Sequence, residues 1–173
     1  MDIVFYLAGI VAVAATFLVI IQTQAVHALL YLIVSLLSVA MVFYLLGAPF
    51  AAAMEVILYA GAILVLFVFV VMMLDAAGPD SAAKTGLGFQ VGAWIGPLAL
   101  TAVLAAEFVY VLAAGGGRQL TGAAIETQAV AVALFGPYLL GVELASMLLL
   151  SGLVGAYHIG WRWNERRPKE EGL

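Results

Sequence analysis

Glu55, Glu107 and Glu143 each fall inside a long apolar stretch of this sequence. An ionisable side chain at the centre of a hydrocarbon layer costs roughly 2.5 kcal/mol or more, so each is by default a candidate functional group facing protein or water. Proton exchange is the chemistry such groups offer, because a carboxyl taken out of water holds its proton more tightly and releases it nearer neutral pH. On a helix, Glu55 shares a face with Tyr59, Ala62 and Leu66, and Glu143 is followed on one face by Ser146, Met147, Leu150, Val154 and His158. Glu107 has only Tyr110 as a polar helical neighbour. For it, a carboxyl reaching the headgroups or bonding an adjacent helix is an equally good reading. A single carboxylate is not a pump. His27 and His158 are of the right type for a bis-histidine haem. Transmembrane haems of that kind sit deeper and need small residues facing the porphyrin, so histidines touching headgroups or backbone carbonyls are the preferred reading.

The elements that must position these groups follow from composition. Of 173 residues, 66% are hydrophobic and 9% charged, with a mean hydropathy of +1.21. That is too little polar side chain to cover a soluble domain. The apolar runs have about the 20 residues that a helix needs to cross a ~30 Å hydrocarbon layer. They lack the alternation of barrel strands, and lipid leaves no other way to pair the backbone. The fold class is therefore an all-α integral membrane protein, read as one membrane domain over 1–173. With 0 cysteines, disulfides, thiolate zinc sites and cysteine-held iron–sulfur clusters are excluded from this chain. The net charge of -4, with the few basic residues mainly at the C-terminus, gives no footprint for nucleic acid. Met1-Asp2 opens the sequence without a basic leader region, so the first apolar run reads as a retained helix.

Five spans are expected, at about 3–21, 27–46, 51–74, 91–114 and 137–160, with 161–173 as a tail. Gln22-Thr23-Gln24 and Gly47-Ala48-Pro49 supply short turns, 75–90 is a polar glycine-containing linker, and Gly115-Gly116-Gly117-Arg118 opens a longer loop ending near Gly136-Pro137. The apolar run within 126–135 is too short to span and reads as an interfacial or re-entrant element. Arg162, Arg166, Arg167 and Lys169 crowd the tail, which puts it in the cytoplasm and the N-terminus outside. Lys84 then falls inside and Arg118 outside, while Trp94, Trp161 and Trp163 land at the inner interface as an aromatic belt. In that topology the three glutamates share one depth, about 10 Å from the outer ends of their helices at ~1.5 Å per residue.

Small residues mark where helices approach closely: Gly88, Gly92 and Gly96, Gly141 with Ala145, and Gly152 with Ala156. Tyr31, Ser35 and Ser38 form a polar stripe on the second span. The third span carries a small, glycine-containing step at Ala60-Gly61-Ala62, followed by bulky β-branched and aromatic residues. That combination permits a local π-bulge or a rotation about the helix axis.

On these residues the chain resembles the J subunit of bacterial respiratory complex I, counterpart of the mitochondrial chain 6 membrane subunit. The resemblance lies in HALLYL at 27–32, in Glu55 with YAGAILVLFVFVVMML at 59–74, and in FGPY at 135–138 running into VELASMLLL at 142–150. It covers nearly the whole chain, except the linker 75–90 and the tail after Trp161. It implies a multi-pass subunit of the bacterial inner (plasma) membrane within a proton-translocating NADH:quinone oxidoreductase. The subunit is non-redox, with no complete active site and no cofactor or metal of its own. FMN, iron–sulfur clusters and quinone belong to the rest of the complex. The implied partners are the K, H and A subunits, neighbouring antiporter-like subunits and lipids. The resemblance also implies a third helix that switches between π-bulged and regular forms, centred here on Tyr59, Ala60, Gly61 and Phe67. Glu55 matches the family's acidic position, and Leu66 or Phe67 would open or block a water path, with Glu143 the other candidate on the proton path. Three other readings compete with this one: a purely structural packing subunit, the equivalent subunit of a related antiporter- or hydrogenase-type complex, and a stand-alone transporter. The last is disfavoured by the lack of an internal repeat and of paired broken helices.

Overall fold

The structure, a computed structural model, describes residues 2–76, 91–113 and 124–165. The described residues are helical, with short turns between. In order they form α1 (Asp2–Ile21), α2 (Ala25–Leu45), α3 (Pro49–Met54), a π-helix (Glu55–Ile63), α4 (Leu64–Ala76), α5 (Val91–Ala113), α6 (Thr127–Phe135) and α7 (Leu139–Glu165). α3, the π-helix and α4 run on as one element, so among the described residues the helices long and apolar enough to cross a membrane number five, as expected. The chain divides into two compact units, Met1–Glu126 and Thr127–Leu173.

In the first unit α2 is the central helix, packed against α1, α3, the π-helix, α4 and α5. Its polar stripe faces α1. The Ser38 hydroxyl donates to the Ala8 carbonyl at 3.1 Å, and the Ser35 hydroxyl to the Ala12 carbonyl at 3.2 Å. Thr16 and Ser35 share a further hydrogen bond of 2.7 Å. Ala8, Val11 and Ala15 recur on one face of α1 and are buried, small enough to let the two backbones approach. Lipid tails are as apolar as these side chains, so close packing and hydrogen bonds such as these, each worth about 0.6 kcal/mol, hold the pair together. Val34, Met41 and Leu45 of α2 and Leu104 and Val111 of α5 complete the same core.

The turn from α2 into α3 is set by two residues. Gly47 has a φ of 85°, a left-handed conformation suited to glycine. Its N–H donates to the Tyr44 carbonyl, and the Ala48 N–H to the Phe43 carbonyl. This double closure caps the end of α2. Pro49 then opens α3, where its missing N–H has no partner to lose. The Gly47 carbonyl accepts the Ile125 N–H at 2.8 Å, which ties the segment before α6 to this corner.

The second unit is α6, a turn and α7. The Tyr138 N–H reaches back to the Ala133 carbonyl at 3.1 Å, so Gly136 and Pro137 belong to the turn and α7 begins at Leu139. Within 126–135 the nine residues Thr127–Phe135 form a helix, too short to cross a bilayer at ~1.5 Å per residue. α7 continues to Glu165, into the stretch expected as tail, because no glycine or proline interrupts residues 161–165. Gly88, Lys84, Arg118, Arg166, Arg167 and Lys169 lie outside the described residues.

Candidate functional site

Four of the residues singled out in the third span, Glu55, Tyr59, Ala60 and Gly61, stand together on the π-helix. At its end the Leu64 N–H donates to the Tyr59 carbonyl, five residues back instead of four. The wider ring fits the small step Ala60-Gly61-Ala62. A β-carbon on Gly61 would lie 3.1 Å from the Val56 carbonyl oxygen, again five residues back, which is tight enough to require that carbonyl to shift. β-Branched and aromatic residues follow at once in α4, where Leu64 is buried and Leu66 and Phe67 are exposed.

The π-helix itself has no buried residue. Glu55 is half-buried, and Tyr59, Leu66 and Phe67 turn more than half of their surface away from this chain. Beside it, α2, α3, the start of the π-helix and α5 form an open-sided cavity of about 540 Å³, lined among others by Tyr44, Ala52, Val56, Leu104, Phe108 and Leu112. Its walls are almost wholly apolar.

Glu107 is turned into the protein interior, one of the two placements that its sequence context leaves open. The side chain is 5% exposed, and both carboxyl oxygens are sealed from the surface without a hydrogen-bond partner. The cause is its spacing. Leu104, Glu107 and Val111 lie three and four residues apart, on the face of α5 that packs into the core. Sequence reasoning could have found this by extending the apolar register of Leu100, Leu104 and Val111 through residue 107.

Glu143 stands in the second unit, exposed on α7. Ser146, expected beside it, donates its hydroxyl to the Glu143 backbone carbonyl at 2.7 Å, closing on its own helix. His27 lies edge-on to Trp94 with ring centroids 5.8 Å apart, and its ring nitrogens are buried without a partner. His158 is exposed on α7 in the other unit. Among the described residues no group of three or more His, Cys, Asp or Glu is placed to hold a metal ion. Of the small-residue positions, Gly96 makes the close approach that sequence anticipated: Tyr31 of α2 packs where its β-carbon would be. Gly141 and Gly152 have open space there.

The family of NADH-ubiquinone/plastoquinone oxidoreductase chain 6 matches residues 15–159. NADH-quinone oxidoreductase subunit J of Pseudomonas aeruginosa is 53% identical over 161 residues, which cover 92% of this chain and 96% of that protein. The protein of the same name from Escherichia coli strain K12 is 52% identical over 161 residues, 92% of this chain and 86% of its own length. That from Buchnera aphidicola of Acyrthosiphon pisum is 46% identical over 169 residues, 98% and 99% of the two chains. A match of this extent, on a chain with five membrane-length apolar helices, makes this a multi-pass bacterial inner-membrane subunit of NADH-quinone oxidoreductase that belongs to the NADH-ubiquinone/plastoquinone oxidoreductase chain 6 family.

Proposed function

We propose that this subunit couples quinone reduction to proton pumping, through a change in the winding of its third span. The observation that carries the reading is the π-helix over Glu55–Ile63, placed mid-span in a membrane-length helix. π-Winding is rare and local, and it recurs at functional sites. Returning one surplus residue to α-helical winding turns everything downstream by about 100°, the angle one residue takes in a 3.6-residue turn. Leu66 and Phe67 follow within a turn of the segment's end, so that rotation would swing both across a new set of neighbours. In one setting they block a water path beside Glu55, and in the other they leave it open. A gap of only a few kcal/mol between the two packings lets a distant event bias the gate.

In this reading the exposed flank of the π-helix and α4 meets other membrane-arm subunits, with the K, H and A subunits as partners, and lipids fill the remainder. Flavin, iron–sulfur clusters and quinone act elsewhere in the complex. Glu143, uncovered on α7, takes part in the proton path at a contact with a neighbouring subunit. The cytoplasm receives the C-terminus and the outer side the N-terminus.

A purely structural role is the second reading, favoured by the large apolar area that α7 leaves uncovered. Gly61→Val separates the two. The added side chain presses on the Val56 carbonyl and disfavours the π-form. In an assembled complex it is expected to cut NADH-driven proton pumping while electron transfer to quinone continues. Normal pumping in assembled Gly61→Val complex would sink the coupling role.

A further inference from the structure

We propose that Glu107 is a proton-binding site of this chain, and that its bound proton holds α5 against α1 and α2. The argument does not depend on the π-helix. Glu107 lies on the packed face of α5, between Leu104 and Val111, which belong to a core completed by Ala8, Val11, Ala15, Val34, Met41 and Leu45. Neither carboxyl oxygen has a hydrogen-bond partner or a route to the surface.

The titratable groups on the elements around it are Asp2 and Tyr6 on α1, His27, Tyr31 and Tyr44 on α2, Tyr110 on α5 itself, Glu55 and Tyr59 on the π-helix and Asp75 on α4. None of them bonds Glu107, and no lysine or arginine stands on α1, α2, α3, the π-helix, α4 or α5 to neutralise a carboxylate. An ion without partners in such a core costs several kcal/mol, whereas the neutral acid costs only its unmade hydrogen bonds. The packing seen here is therefore the packing of the protonated side chain. Loss of the proton leaves a charge that the core cannot hold, and α5 must loosen to give it water. Leu104 and Val111, either side of Glu107 in sequence, also line the apolar cavity, which is where a loosened α5 would admit water. Water entering there accepts the proton as hydronium, leaving the carboxylate on Glu107.

The test uses the intact complex in native membrane vesicles. The chain has 0 cysteines, so Val111→Cys gives this subunit a single thiol on the buried face of α5. Its labelling by a membrane-permeant maleimide is followed from neutral to alkaline pH, with and without Glu107→Gln. Glu107→Gln keeps the shape of the neutral acid and supplies the thiol's own pH dependence. With Glu107 present, labelling at alkaline pH is expected to exceed that baseline by more than about tenfold. Equal pH profiles in the two backgrounds would overturn the proposal. Should Val111→Cys fail to assemble, Leu104→Cys reports on the same face from the other side of Glu107 and is read the same way.

Discussion

The Tyr31 hydroxyl occupies the space that a β-carbon on residue 96 would need, so the contact between α2 and α5 depends on Gly96. Gly96→Ala must displace the ring or push the helices apart, and overpacking of this kind costs about 1–3 kcal/mol. Thermal dissociation of the purified complex is expected at lower temperature for Gly96→Ala. Tyr31→Phe in the same chain should recover part of the loss, because it removes the atom in the way. A double variant no better than Gly96→Ala would show that the hydroxyl is not the obstacle.

Substitutions at Gly61 should act in order of size. A methyl group already reaches the Val56 carbonyl at 3.1 Å, and a β-branched side chain adds crowding around it. Protons pumped per NADH are expected to fall from wild type to Gly61→Ala and again to Gly61→Val. NADH oxidation by an artificial acceptor, which bypasses the membrane arm, should stay level across the series. An unchanged proton ratio throughout would count against a gate at this segment.

Ser38 tests the seam between α1 and α2. It is fully buried and gives its hydroxyl to the Ala8 carbonyl. Ser38→Ala removes one interhelical hydrogen bond, worth about 0.6 kcal/mol in such settings. Ser38→Leu instead forces a branched side chain between closely packed backbones, at a cost of about 1–3 kcal/mol. Protease resistance of the complex in detergent should separate the two: near wild type for the first, clearly reduced for the second.

Glu143 is exposed on α7, yet a carboxyl facing the hydrocarbon of a bilayer is costly. Its face is therefore expected to meet another subunit. A photo-crosslinking side chain at Met147, one turn along and exposed, should capture a protein of the membrane arm. Capture of lipid alone would place this face outside the assembly.

The spans were legible because each is a long apolar run. Their expected limits lie within about two residues of the observed helices at most ends, the usual uncertainty of a helix terminus. The last helix departs from its expected limits mainly at its end: Pro137 lies in the turn before Leu139, and nothing in 161–165 breaks the helix where the apolar character stops. The small step at Ala60-Gly61-Ala62 pointed to a place where winding could change. What it could not give was the length of the π-segment, because that depends on hydrogen bonds along the backbone and not on one residue. For Glu107 two readings stood level because its charge type pointed one way and its register another. On α5 position decides burial, and a glutamate three residues after Leu104 is carried inward with the leucines around it.

The corner at Gly47 has a mechanical consequence. The helix that begins at Pro49 starts from an anchored end: a double-closed glycine turn behind it, the side of α2 beneath it, and the Ile125 N–H clamped to the Gly47 carbonyl. A shaft gripped at one end delivers its twist at the other. If the segment Glu55–Ile63 rewinds as proposed, the twist would pass forward along α4, with the α2–α3 corner as the stator.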